Sequence, residues 1–399
     1  MQLIDDIPVW GTSVDEGALR QIKTCYYIFG QAAMMADHHK GYGVPIGGVI
    51  AHENLVSPSG VGYDIGCGNK AVRLDVPAAE VRAKISTIMD DVFSTISFGL
   101  ARKNPEEVDH PLFEDDDAWQ ITEGANSATW RLTSLRDLAR AQLGTVGSGN
   151  HYVDIFVDEL ERVWVGVHFG SRGFGHKIAT RFLNRAGAKD DMDSAPVALD
   201  SRHQEGQDYI AAMKLAGRYA YAGRDWVCAR VTKILGAKIV EEVHNHHNFA
   251  WRETHAGREL WVVRKGATPA FPGQRGFVGG SMGEISVIIE GVENEHATQS
   301  LYSTVHGAGR VMGRMDAKGK VDRKTGEVKR VAKVTPEMMR DWVKKAGVEL
   351  RGAGVDESPH CYKRLPEVLA EHQGSIRVLH TLTPLGVAMA GNEFDPYKD

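Results

Sequence analysis

The spacing of apolar positions sorts the chain into two kinds of segment. Val81, Ile85, Ile88 and Val92 recur at helical spacing and predict an amphipathic helix from Val81 to Phe93. A second helix is predicted from Ala128 to Leu143, stopped by Gly144, and a long third one from Tyr209 to Leu235, ending at Gly236. Thr335-Pro336-Glu337 marks another helix start, with an N-cap candidate followed by proline at the first helical position. Runs rich in β-branched and aromatic residues predict strands at His151–Asp158 and Arg162–Phe169, joined by a short turn. Further strands are predicted at Glu259–Arg264, Ile285–Glu290 and Ser375–Leu382. The two kinds alternate irregularly, and no proline- or serine-rich linker interrupts them. The pattern predicts one compact α/β (mixed α+β) domain over residues 1–399. Lys318 to Arg330 reads as an exposed basic hairpin, an insertion near 314–333. A solvated surface insertion accounts for it more simply than a nucleic-acid arm.

Composition narrows the class. The chain is 42% hydrophobic and 25% charged over 399 residues, which suits a globular protein with a sizeable core. A formal net charge of -5 argues against a broad basic nucleic-acid surface but leaves a local basic groove open. No apolar run is long enough to cross a membrane. The opening residues, Met1 to Asp6, show no secretory-leader pattern. Four cysteines without close pairing suit a reducing compartment, so a cytoplasmic location is expected. Cys25 and Cys228 fall in helix-like segments and read as buried thiols. Glycine is concentrated at 41–68, 144–149, 166–175, 266–283 and 307–313, the segments that also hold the polar residues of interest.

Those segments carry the candidate chemistry. In Thr304-Val305-His306-Gly307-Ala308-Gly309-Arg310 a histidine stands at the mouth of a glycine-rich turn. Successive N–H groups in such a turn can bind a phosphate, a histidine there can attack phosphorus, and an arginine can hold the developing charge. A loop needing positive φ angles would explain the glycines without a ligand. Asp64 and Cys67 lie three apart in a glycine-bracketed turn; they suit either a metal site or a buried thiol beside a capping aspartate. Gly147-Ser148-Gly149-Asn150-His151 enters a strand whose alternation puts Asn150, Tyr152 and Asp154 on one face and His151 on the other. His168 ends the next strand, before Gly170-Ser171-Arg172-Gly173. His244, His246 and His247 cluster ahead of Glu253 and His255, and they cannot all serve one ion. Arg264-Lys265-Gly266-Ala267 and Gly279-Gly280-Ser281-Met282-Gly283 read as close-approach loops or as ordinary surface turns. The ensemble describes metal-assisted phosphoryl or nucleotidyl transfer, with mixed O, N and S ligands suiting manganese, zinc or iron.

Taken in order, these motifs resemble the tRNA-splicing ligase RtcB family. The resemblance runs nearly end to end. It takes in Pro8-Val9-Trp10, Asp37-His38-His39-Lys40-Gly41, Asp64 to Gly68, Gly147 to His151 and His168 to Gly173. His246-His247-Asn248, Glu253, His255, Arg264 to Ala267, Gly280 to Gly283, His306 to Arg310, Asp356 to Pro359 and Tyr362-Lys363 complete it. The resemblance implies a GTP-dependent enzyme that joins RNA 3′-phosphate or 2′,3′-cyclic phosphate ends to 5′-hydroxyl ends. It implies a single compact domain of the family's own type. It implies two manganese ions held by Asp64, Cys67, His151, His168 and His247, with Cys67 bridging, and a covalent guanylate on His306. Guanylate contacts are implied for Asn150, Asp154, Asn248, Ser281, Gly307, Ala308, Gly309 and Tyr362. Arg310, Arg314 and Arg172 would hold RNA phosphates. A monomer is expected, and archease is a candidate activating partner.

The chain departs from the family in three places. Asp154 stands where the family has glutamate, Gly313 where it has serine, and Met389-Ala390-Gly391 where it has valine-lysine-glycine, followed here by a tail to Asp399. Asp154 and Ala390 keep a metal-dependent nucleic-acid end-processing hydrolase in view. A catalytically silent RNA-end or GTP-binding protein is the third reading, against which His306 and the full ligand set argue.

Overall fold

The computed structural model describes residues 1–120, 132–189, 191–322, 325 and 327–391. Two sheets carry the architecture. The larger has eight strands. Seven run in the spatial order Ile239–His246, Gly68–Pro77, Arg162–Phe169, Tyr152–Asp158, Ile376–Met389, Ser286–Gly291 and Arg275–Val278; Glu349–Arg351 adds in parallel to Ile376–Met389. The sheet nearly closes. Its two edge strands meet where the Phe277 N–H donates to the Asn245 side chain at 3.0 Å and Arg275 pairs with Glu241. The smaller sheet has six strands, in the order Gln2–Ile4, Ile7–Val9, Gln31–His39, Ile46–His52, Arg258–Lys265 and Asn248–His255. The chain passes from one sheet to the other at His247, between strands Ile239–His246 and Asn248–His255.

Helices cover these sheets where apolar periodicity supplies a face. Helix Ala78–Thr95 buries Val81, Ile88, Met89 and Val92 with the interior valines of the large sheet. Helix Gln204–Ile234 spans both cores. Tyr209, Met213 and Ala216 pack in the cluster beside the small sheet, and Val227, Cys228 and Val231 in the cluster under the large one. Small residues along it permit close approach, since a Cβ at Gly217 would collide with Phe249. Helix Pro336–Ala346 begins as predicted, the Thr335 hydroxyl accepting from the Met338 N–H at 3.1 Å. Cys25 and Cys228 are buried helical thiols, as expected.

The predicted strands and the long helix are present, with corrected ends. The strand expected from His151 starts at Tyr152, and the one expected to stop at Leu382 runs on to Met389. Of the helix expected at Ala128–Leu143, residues 128–131 lie outside the described residues. The remainder is a 3-10 turn, Leu132–Leu135, followed by helix Arg136–Gln142. Strands Gln31–His39 and Gly68–Pro77 carry no predicted counterpart. Gln31–His39 is buried along nearly its whole length, so it lacks the alternation that marks a half-exposed strand. The basic hairpin is real, formed by Lys320–Val321 and Val328–Arg330. Among the described residues no helix is long and apolar enough to cross a membrane.

Candidate functional site

One cleft of about 1100 Å³ opens between the sheets, and the metal-ligand and guanylate-contact residues named from the sequence line it, with His306, Arg310 and Arg314. The turn ahead of strand Gly68–Pro77 sets its floor. Gly66 takes φ +70 there, the Cys67 N–H donates to the Asp64 carbonyl at 3.0 Å, and both side chains face the cavity. Gly170 lies opposite: a Cβ at that position would occupy the space of the Asp64 carboxylate. Only glycine lets the two segments approach so closely.

Two groups of potential ligands meet at this floor, Asp64–Cys67–His151 and Cys67–His168–His247. In each, the donor atoms lie within 4.8 Å of one another, and Cys67 belongs to both. The Cys67 Sγ stands 3.7 Å from Nε2 of His151 and 3.7 Å from Nε2 of His168. Asp64 Oδ2 is 3.1 Å from His151 Nε2. The donor set fits transition-metal ions. His247 Nδ1 is buried with no hydrogen-bond partner, and the thiol is placed to serve two ions at once. Burial drives His168 and His247 well below the usual histidine range, so their rings are neutral and can donate lone pairs. Burial and the Asp64 carboxylate hold the Cys67 thiol well above its usual range. His168 is fixed from behind, its Nδ1 2.6 Å from the Asn69 amide oxygen on the paired strand.

His306 stands beside this floor, its ring centroid 4.9 Å from that of His247. Its orientation comes from Asp37, a fully buried residue in strand Gln31–His39. One carboxylate oxygen of Asp37 accepts from His306 Nδ1 at 2.6 Å, from the His306 N–H at 2.9 Å and from the Gly307 N–H at 3.3 Å. Burial works to raise the Asp37 pKa, but the His306 contacts and then Lys363 outweigh it and hold the carboxyl below its usual range. With Nδ1–H committed to Asp37, Nε2 carries the free lone pair. Asp37 appears in a sequence motif, yet nothing local reveals its partner 269 residues away.

The remaining residues sort by contact. Asn150 Nδ2 lies 3.5 Å from His168 Nε2, Asn248 Oδ1 accepts from the Gly266 N–H at 2.7 Å, and Ser281 donates to Glu284 at 2.9 Å. Asp154 is buried, Oδ1 without a partner, and burial pushes its carboxyl well above the usual range. The Tyr152 hydroxyl beside it is likewise unpartnered. His151 also lines the cleft, contrary to the alternation argument, because it precedes the strand rather than belonging to it. Tyr362 donates to Glu357 and lies under the Arg310 guanidinium, 4.9 Å from ring centroid to Cζ. Ala390 is buried and apolar.

Several expected contributors serve the scaffold. His244 accepts from Arg224 at 2.8 Å, and His246 stacks on Tyr221 with centroids 3.9 Å apart, so His247 alone of the three reaches the floor. Arg224 is fully buried and donates to the carbonyls of Gly66 and Phe169, bracing the Cys67 turn. Arg172 donates to the Gly99 carbonyl at 3.1 Å and does not line the cleft. Another potential ligand group, Asp158–Glu159–His380, lies at the far end of strand Tyr152–Asp158; there Asp158 braces a turn through Arg162 and Trp164.

The model of the tRNA-splicing ligase RtcB family matches residues 18–390. The chain is 33% identical to the RNA-splicing ligase RtcB of Escherichia coli K12 over 384 residues, covering 89% of each chain. It is 31% identical to the tRNA-splicing ligase RtcB of Pyrobaculum aerophilum over 442 aligned positions, covering 90% of this chain and 88% of the other. The protein belongs to the tRNA-splicing ligase RtcB family.

Proposed function

We propose that this RtcB-family protein is a GTP- and manganese-dependent RNA ligase, acting in the cytoplasm as a monomer. Its substrates would be RNA ends bearing a 3′-phosphate, or a 2′,3′-cyclic phosphate opened beforehand, and a 5′-hydroxyl. The observation that carries the reading is His306. Asp37 fixes its Nδ1–H and leaves Nε2 facing a cleft whose floor is a paired ligand set. Nε2 attacks the α-phosphorus of GTP, a P–N bond forms, and pyrophosphate leaves. The RNA 3′-phosphate then displaces His306 and takes the guanylate. The 5′-hydroxyl attacks that activated end, and GMP departs. Capping with GMP matters because a bare phosphate monoester offers a poor leaving group. Two manganese ions on Asp64, Cys67, His151, His168 and His247 would polarise the phosphates.

Asn150, Asn248, Ser281, Tyr362 and the Gly307-Ala308-Gly309 turn would hold the guanylate. Asp154 is one methylene shorter than the family's glutamate, so guanine would be held loosely and ATP would compete measurably in the labelling reaction. The test is incubation with α-labelled GTP and manganese, with and without archease. Label should become bound to protein, be lost in mild acid, survive alkali, and be absent from His306→Ala. Ala390, apolar where the family has lysine, favours the hydrolase reading. That reading takes over if the wild-type protein accepts no label with any divalent metal yet removes phosphate from RNA ends.

A further inference from the structure

The hairpin of Lys320–Val321 and Val328–Arg330 stands at the rim of the cleft, where Arg314, Asp316 and Arg330 contribute to the lining. Residues 327–333 are exposed without interruption. The described residues of this segment carry Arg314, Lys318, Lys320, Lys329, Arg330 and Lys333 against only Asp316, Asp322 and Glu327, in a chain whose net charge is -5. Asp356 and Glu357 offset the inner Arg314 and Lys318, so the excess positive charge lies on the exposed outer face at this edge of the opening.

These cations divide into two sets. The inner set anchors the hairpin. Arg314 pairs with buried Asp356 and Glu357, and Lys318 with Asp356 at 3.0 Å. The outer set is exchangeable. Arg330 and Lys333 share the single carboxylate of Asp316, and Lys329 meets Asp322, with these three cationic side chains 49–60% exposed. Exposed pairs of this kind contribute roughly 0–1 kcal/mol, so a phosphate can replace the carboxylate at little cost. Among the described residues Lys320 has no acidic partner.

We infer that this hairpin is the outer wall of the path by which an RNA strand enters the cleft, its exposed lysines holding phosphodiesters behind the reacting end. The inference rests on the RNA-ligase reading for the identity of the strand. Exposed Val328 and Val331 would suit a protein partner instead, and the experiment separates the two. It measures binding of a short single-stranded RNA with an unreactive 3′-hydroxyl, over a salt series, to wild type and to K320Q/K329Q/K333Q. Each phosphate contact contributes about 0.7 to the slope of log K against log salt for a single strand, so the variant's slope should be shallower by about 2. Its affinity near 0.1 M salt should fall by more than about tenfold. Glutamate at the same three exposed positions should deepen the loss. Unchanged affinity and slope would overturn the inference and leave the valines to a protein partner. Labelling of wild type by GTP is read in parallel. If label is absent but the slope still changes, the hairpin assignment stands and the ligase reading fails.

Discussion

Asp37 and Asn69 act on different imidazoles in the same way, each taking Nδ1 and so deciding what Nε2 can do. For His306 the consequence is an imidazole held in one tautomer. Asp37→Asn keeps the shape but supplies an amide where three N–H groups converge on one carboxylate oxygen. On the proposed function, labelling of His306 by GTP should slow on the order of 10⁴-fold, as when a catalytic histidine loses the carboxylate that sets its tautomer. Metal content and fold should be retained, since Asp37 belongs to neither ligand group. A labelling rate within a few-fold of wild type would show that the imidazole is oriented by something else. The site was legible at this scale where chemistry is written locally, as in Asp64 with Cys67 or His306 with its glycine turn. Asp37, Asn69 and Arg224 act across the fold on partners far away in sequence, and no spacing announces them.

At the scale of elements, the legible pieces were those with one wet face. Helix Ala78–Thr95 and strands Tyr152–Asp158 and Arg162–Phe169 follow from periodicity or β-branched runs. Strand Gln31–His39 hides because both its faces are covered. Hairpin Asn248–His255 to Arg258–Lys265 shows how a motif residue can serve the element rather than the site. Glu253 makes a bidentate pair with the fully buried Arg264, at 2.6 and 3.0 Å, and also meets His255 at 2.8 Å. Burial acts to raise the Glu253 pKa, but Arg264 and then His255 outweigh it, and the carboxyl lies below its usual range. A depressed carboxylate pKa gives stability that is fully present above about 4.3 and is lost as pH falls through the lower folded value. Glu253→Ala leaves the Arg264 guanidinium buried and unpaired, which should cost about 3 kcal/mol or more in urea unfolding at neutral pH. The gap between variant and wild type should narrow in acid. A cost under about 1 kcal/mol would mean that the Ser303 hydroxyl and the Leu301 carbonyl satisfy Arg264 without the carboxylate.

Across the whole molecule, the ligand set gathers residues of both sheets at the place where the Cys67 carbonyl accepts from the His247 N–H at 2.8 Å. Asp64 and Cys67 come from the turn before one strand of the large sheet, His151 and His168 from the ends of two more, and His247 from the crossover into the small sheet. Ions held there would link both sheets, so metal binding should stabilise the folded chain as a whole. Chelation should lower the unfolding midpoint, the stability lost being about 2.7 kcal/mol per ion relative to protein with metal at a hundred times its dissociation constant. Cys67 is the element common to both groups, and this predicts the stoichiometry of its loss. Were the groups independent, Cys67→Ala would weaken each and leave partial occupancy, because Asp64 with His151 and His168 with His247 remain as separate pairs. If one thiolate joins them, both ions should go together while the chain stays folded, the substitution removing only a small side chain at the cavity floor. Metal analysis of purified Cys67→Ala should therefore find close to zero ions per chain, and chelator should no longer shift its unfolding. A folded variant that keeps one ion would show that the thiol serves a single site, and two separate metal positions would then have to be assigned.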